Sequence, residues 1–156
     1  ETADVKKSKK EKKYSLLYVD DETTNLRVFK SNFRKFFNVY TTASPVEAID
    51  ILRDNEIQVI VTDQRMPEMT GTELLEKILP DYPDMIKIIL TGFTDIEAIK
   101  DGINRCGIYK YITKPWNFDE MNVVSFAIVP QALKLCFIFL NIVTVYFPTL
   151  QKKNSN

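Results

Sequence analysis

The chain has 156 residues, 45% hydrophobic and 27% charged, a size and mixture that suit one compact soluble domain with appended sequence and argue against a two-domain enzyme. Twenty-one Lys and Arg balance twenty-one Asp and Glu, so composition supplies no basic footprint and no direct nucleic-acid partner is expected. Histidine is absent, which excludes a Ser-His-Asp triad, His-ligated zinc, an imidazole base and a phosphohistidine built from this chain.

The two cysteines, Cys106 and Cys136, form no C-x-x-C pair, which argues against a zinc ribbon or a secreted disulfide scaffold and makes both small apolar fillers. A reducing cytoplasm is the expected location, and no charged segment followed by an apolar stretch marks the chain for secretion. Opening on Glu1 rather than Met, it is read as a fragment. Residues 1–13 carry six Lys against three acids and almost no apolar side chains, the composition of a disordered tail or linker. Residues 14–120 are acidic, with eighteen acids against twelve basic side chains.

From Tyr14 onward, short apolar runs alternate with segments of helical period. Residues 15–19 (SLLYV) read as a buried strand. Leu26, Phe29, Phe33 and Phe36 or Phe37 then mark an amphipathic helix that Asp21 to Thr24 could cap. A second strand is expected at 39–42, followed by a helix that opens on Ser44-Pro45 with Val46, Ile49 and Leu52 as its apolar face. The third strand is 59–62; Gly71-Thr72 opens a helix through Leu74, Leu75 and Ile78 that stops before Pro80. The fourth strand is 85–90, and Asp95 is expected to cap a helix bearing Ile96, Ile99 and Ile103. Gly107 ends that helix, 108–112 is the fifth strand, and Asn117 with Glu120 makes a capping box for a last helix.

Five β units alternating with helices imply an α/β fold, a doubly wound parallel sheet with helices on both faces. In such sheets ligands gather beyond the carboxyl ends of the strands. The side chains expected there are Asp20-Asp21 after strand one, Asp63 after strand three, Thr91 after strand four, and Lys114 after strand five, with Tyr111 just before it. Three converging carboxylates repel unless a cation neutralises them, and an all-oxygen set suits Mg²⁺ better than Zn²⁺. The chemistry suggested is phosphoryl transfer onto a carboxylate: Asp63 attacks, Lys114 and Mg²⁺ spread the charge, and Thr91 donates a hydrogen bond.

These residues resemble the receiver domain of two-component response regulators. The likeness rests on Asp20-Asp21-Glu22, on Asp63 within TDQRMPEMTG, on Thr91-Gly92 and on Lys114-Pro115, and covers about residues 14–120. It implies a flavodoxin-like strand order 2-1-3-4-5, Asp63 as phosphoacceptor, Asp21 and Asp63 as direct Mg²⁺ ligands, Asp20 acting through water, and the backbone carbonyl of Arg65 completing the set. Thr91 and Tyr111 match the switch pair, Gly92 leaves space beside the acceptor, Pro67 and Gly71 match the following loop, and the Lys114-Pro115 bond would be cis. By the same resemblance, the donor is a histidine kinase or phosphotransfer protein, output passes to a downstream effector, no separate substrate turnover is expected, and phosphorylation could drive homodimerisation.

Two alternatives are weighed. A haloacid-dehalogenase-like Mg²⁺-dependent phosphatase also uses an Asp nucleophile, but places a second Asp two residues on, where this chain has Arg65. A membrane-tethered or scaffolding relative of the receiver would keep the residues without signalling. The receiver is expected over 14–129, with an atypical apolar segment over 130–156. Residues 121–150 carry one charge, Lys134, and Pro130 interrupts the last helix. The stretch 123–147 has the length of a bilayer span, but Pro130, Gln131, Lys134 and Asn141 weigh against one. A soluble or partner-covered segment is favoured, and a non-native or truncated end fits equally.

Overall fold

A computed structural model describes residues 14–116 and 118–121. Continuous apolar runs make β1 (Ser15–Val19), β3 (Val59–Asp63) and β4 (Ile86–Thr91), joined by the more exposed β2 (Asn38–Thr42) and β5 (Lys110–Thr113). They form one five-stranded sheet of order β2-β1-β3-β4-β5, with every neighbouring pair parallel. This is the expected flavodoxin-like order.

The helices are α1 (Thr23–Phe33), α2 (Pro45–Asp54), α3 (Gly71–Ile78), α4 (Ile96–Cys106) and a short α5 (Phe118–Met121). A strand sends alternate side chains to opposite faces, and both faces are covered here. Leu16, Tyr18, Val61 and Ile88 meet Phe29 and Phe33 of α1 and Met121 of α5 on one side. Leu17, Val19, Ile60 and Ile89 meet Leu52 of α2, Leu74 and Leu75 of α3, and Ile99 of α4 on the other. Burying a side chain the size of Phe29 contributes about 1.5–3 kcal/mol, so these two layers set the strand register.

Local signals explain most helix ends. The Ser44 side chain accepts the Glu47 N–H, and Pro45 takes the first helical position, where its missing N–H costs nothing. Thr70 and Glu73 form a reciprocal capping box before α3. Gly71 is demanded by a close approach, because a Cβ there would lie 2.4 Å from the Asp63 carbonyl oxygen. Gly107 adopts φ 62° after α4, the left-handed conformation that ends helices.

Several expectations are corrected. No side chain caps α1: Glu22 holds the cap position, and the nearby Asp20 carboxylate accepts the Glu22 N–H instead. Val46 is exposed, and Pro45, Ala48 and Leu52, spaced three and four residues apart on one helical face, are the buried side chains of α2. Phe37 is buried and Phe36 exposed. Asp95 closes a 3-10 turn over Phe93–Asp95 directly before α4, and its carboxylate pairs with Arg65. Strand β5 begins at Lys110, two residues later than its apolar run, with the Tyr109 N–H bonding the Lys87 carbonyl at 2.8 Å just ahead of the first paired residue. The tail at 1–13, the Asn117 cap, Cys136 and the apolar segment over 130–156 lie outside the described residues. Among the described residues, no helix is long and apolar enough to cross a membrane.

Candidate functional site

Each strand-end residue is anchored to its neighbour by the backbone. The Asp20 N–H donates to the Thr42 carbonyl, the Gln64 N–H to Leu90, and the Lys114 N–H to Thr91 at 2.8 Å. These bonds continue the parallel ladders past the last paired residues and bring Asp20, Asp63, Thr91 and Lys114 to one edge of the sheet.

The carboxylates of Asp20, Asp21 and Asp63 each offer an oxygen, and the three atoms lie within 4.8 Å of one another; Asp20 and Asp63 are buried and Asp21 is exposed. The Lys114 ammonium reaches in from the other side, 2.7 Å from Asp63 Oδ1 and 3.3 Å from Asp20 Oδ2. Burial alone would lower the Lys114 ammonium, but the Asp63 hydrogen bond and the two carboxylate charges outweigh it and raise it above its ordinary value. Burial raises the Asp63 carboxyl, and the Lys114 bond only partly opposes that. Fully ionised, three carboxylates against one ammonium leave two negative charges, all on hard oxygen donors, a set that fits a divalent cation such as Mg²⁺.

Thr91 is buried at the end of β4, and its hydroxyl donates to the Gly92 carbonyl at 3.2 Å. An alanine Cβ at Gly92 would meet only ordinary contacts, 3.5 Å from Asp95, so the chain is open there. Tyr111 lies on β5, register-paired with Ile89, and is 40% exposed. The Lys114-Pro115 peptide is cis. Arg65 and Pro67 are exposed in the loop after Asp63, and the Arg65 guanidinium pairs with Asp95 across to the turn after β4. That loop is tied down at its start: Gln64 bonds the Thr72 N–H and hydroxyl, and its carbonyl accepts the Gly71 N–H.

Two side chains escaped the sequence reading. The Tyr18 hydroxyl donates to Asp20 Oδ2 at 2.5 Å, and Asn25 Nδ2 donates to the same oxygen at 3.1 Å. Burial, then the Asp20 bond, pushes the Tyr18 phenol well above its ordinary value. Tyr18 sits in an apolar strand run and reads as core; only its two-residue spacing from Asp20, which puts both on one face, could have flagged it.

The family model for the response regulator receiver domain matches residues 16–124, spanning all of the sheet but Ser15 and every residue of this cluster. The chain belongs to that family. Its receiver domain is 38% identical over 125 residues to the hydrogenase transcriptional regulatory protein HoxA of Cupriavidus necator, covering 80% of this chain but 26% of that protein. It is also 38% identical over 110 residues to a chemotaxis protein CheY homolog of Campylobacter jejuni, covering 65% of this chain and 81% of that one. A response regulator receiver domain protein from Clostridium thermocellum superposes with a TM-score of 0.70 at 30% identity, over 74% of this chain and 94% of that one. The chain therefore spans about a quarter of the length of HoxA. Receiver domains are signalling domains of two-component systems, and the phosphatase alternative is not favoured. Arg65, where that alternative needs an acid, is a guanidinium that stays protonated.

Proposed function

We propose that residues 14–129 form a phosphoacceptor module that takes a phosphoryl group onto Asp63 from the phosphohistidine of a separate kinase or phosphotransfer protein. The observation that carries this reading is the Lys114 ammonium 2.7 Å from Asp63 Oδ1, inside a group of three carboxylates whose oxygens lie within 4.8 Å. An Asp63 oxygen forms the new bond to phosphorus as the donor's N–P bond breaks, and the electron pair leaves with the imidazole nitrogen. Asp21, Asp63 and the Arg65 backbone carbonyl would hold Mg²⁺, with Asp20 engaging it through water. When bound, the ion supplies positive charge to the oxygens of the transferring group.

Lys114 then passes from pairing with Asp63 to gripping a phosphoryl oxygen. The group brings about −1.5 to −2 charge, by analogy with other phosphorylated side chains. Thr91 would exchange its bond to Gly92 for one to the phosphoryl group, and Tyr111 would move inward with it. The exposed Phe93, Tyr109 and Tyr111 lie on the β4–α4–β5 side, which we take as the surface that passes the change to an effector. No substrate other than the phosphoryl donor is turned over, and the domain works in the cytoplasm.

Trp116, two residues past Lys114, is the natural reporter. Adding Mg²⁺ and then acetyl phosphate or beryllofluoride should change its fluorescence in the parent chain. Asp63→Asn should abolish the second step and the incorporation of labelled phosphoryl. Labelling that persists in Asp63→Asn, or steady hydrolysis of a phosphate ester by the purified chain, would defeat the reading.

A further inference from the structure

Most of β1 is aliphatic, and a tyrosine within it must find a partner for its hydroxyl. Tyr18 is fully buried, and the partner it finds is a carboxylate of the acidic cluster rather than a backbone carbonyl. Asp20 Oδ2 thereby collects donors from three elements: Tyr18 of β1, Asn25 of α1, and Lys114 beyond β5. Its other oxygen, Oδ1, accepts the Glu22 N–H. A carboxylate has about four lone-pair sites, so Oδ2 is saturated and only Oδ1 retains capacity toward a cation. The Tyr18 ring cannot swing away, because it stacks on Phe29 with centroids 4.1 Å apart, and Phe29 meets Trp116 edge-on at 5.9 Å.

We propose that Tyr18 is a positioning residue of the cation site: its hydroxyl fixes the Asp20 carboxylate so that Oδ1 alone faces the ion, while its ring ties that carboxylate to the Phe29–Trp116 stack. The inference rests on the receiver reading above and extends it to a residue that touches neither cation nor phosphoryl group. Hydrogen-bond partners of metal-site side chains set affinity by fixing geometry, and their loss weakens binding by about 10–100-fold. Tyr18→Phe keeps the ring and removes only the hydroxyl.

Calorimetric titration of the purified chain with MgCl₂ gives the test. Tyr18→Phe should raise the Mg²⁺ dissociation constant by about tenfold. In an Asp20→Asn background the same change should have less than about a twofold effect, because the hydroxyl acts through that carboxylate. A merely structural tyrosine would shift the metal-free melting temperature and leave the dissociation constant within about twofold, which would overturn the proposal, as would a tenfold loss that persists undiminished in Asp20→Asn. Should Tyr18→Phe not fold, Asn25→Ala removes a second donor from the same oxygen. Binding weakened several-fold supports the inference, and unchanged binding overturns it. A parent chain that binds no Mg²⁺ defeats the receiver reading and the inference with it; a parent that binds while Tyr18→Phe matches it defeats the inference alone.

Discussion

Two lysines, one fully buried and one partly exposed, lie at opposite edges of the same sheet, on the neighbouring strand paths of β4 and β5. Lys87, near the start of β4, is fully buried, and its ammonium donates to the carbonyls of Tyr82, Pro83 and Met85 at 2.8, 3.4 and 3.0 Å. Lys114, just past β5, faces the Asp63 and Asp20 carboxylates. Neutral carbonyls solvate the first; charges confront the second. Burial lowers Lys87 below its ordinary value, whereas carboxylate bonding overcomes burial and raises Lys114 above its own. A charge enclosed by dipoles is satisfied internally and secures the loop before β4. One that only partly offsets three carboxylates leaves a negative imbalance that a divalent cation can relieve.

The sharpest way to break this contrast is to neutralise each lysine in turn. Lys114→Met should slow acetyl phosphate labelling of Asp63 by about a hundredfold, the size expected when one preorganised donor to a developing charge is lost. Equal labelling of Lys114→Met and parent would mean that the short contact has no chemical role. Lys87→Met should do the opposite. Three carbonyls lose their donor, so urea unfolding should report a loss of about 1–3 kcal/mol while Mg²⁺ affinity stays at the parent's value. A change in Mg²⁺ affinity there would join the two edges functionally and erase the distinction.

A smaller effect separates the two by pH. A lysine lowered in the folded state binds fewer protons than the unfolded chain just below its ordinary value of 10.5, so folding gains stability as pH rises through that window. The stability difference between parent and Lys87→Met should therefore move in the parent's favour as pH approaches 10.5. Lys114 is raised, so its contribution is complete below 10.5 and disappears only above it. The parent and Lys114→Met should accordingly run parallel just below 10.5, well above the acid range in which loss of Lys114 alters the titration of Asp63. Urea midpoints measured in steps across this range decide between the slopes.

The same contrast marks how far the sequence could be read. The central strands were legible because parallel strands covered on both faces appear as unbroken apolar runs, and the residues closing them were legible because the topology sends every strand's carboxyl end to one edge. Ser44-Pro45 announced its helix through chemistry that is local. Lys87 was hidden inside the run 85–90, since nothing in a linear pattern tells a snorkelling lysine from one whose ammonium is wrapped by the chain just before it. Tyr18 and Asn25 escaped for a related reason. Each is ordinary for its strand or helix, and only the folded geometry points both at one oxygen of Asp20. Val46 was misplaced because the helical face was inferred from hydrophobicity, whereas the face that packs inward carries the smaller Ala48 with Pro45 and Leu52.

The contact at Gly71 carries a mechanical consequence. Helix α3 begins with a hydrogen where any other residue would drive a carbon to within 2.4 Å of the Asp63 carbonyl, and the Gly71 N–H is bonded to Gln64, the next residue after Asp63. Close-packed joints of this kind have no slack. A backbone displacement of a fraction of an ångström at the acceptor meets the first residue of α3 directly, much as a pushrod seated against its cam meets every change in the profile.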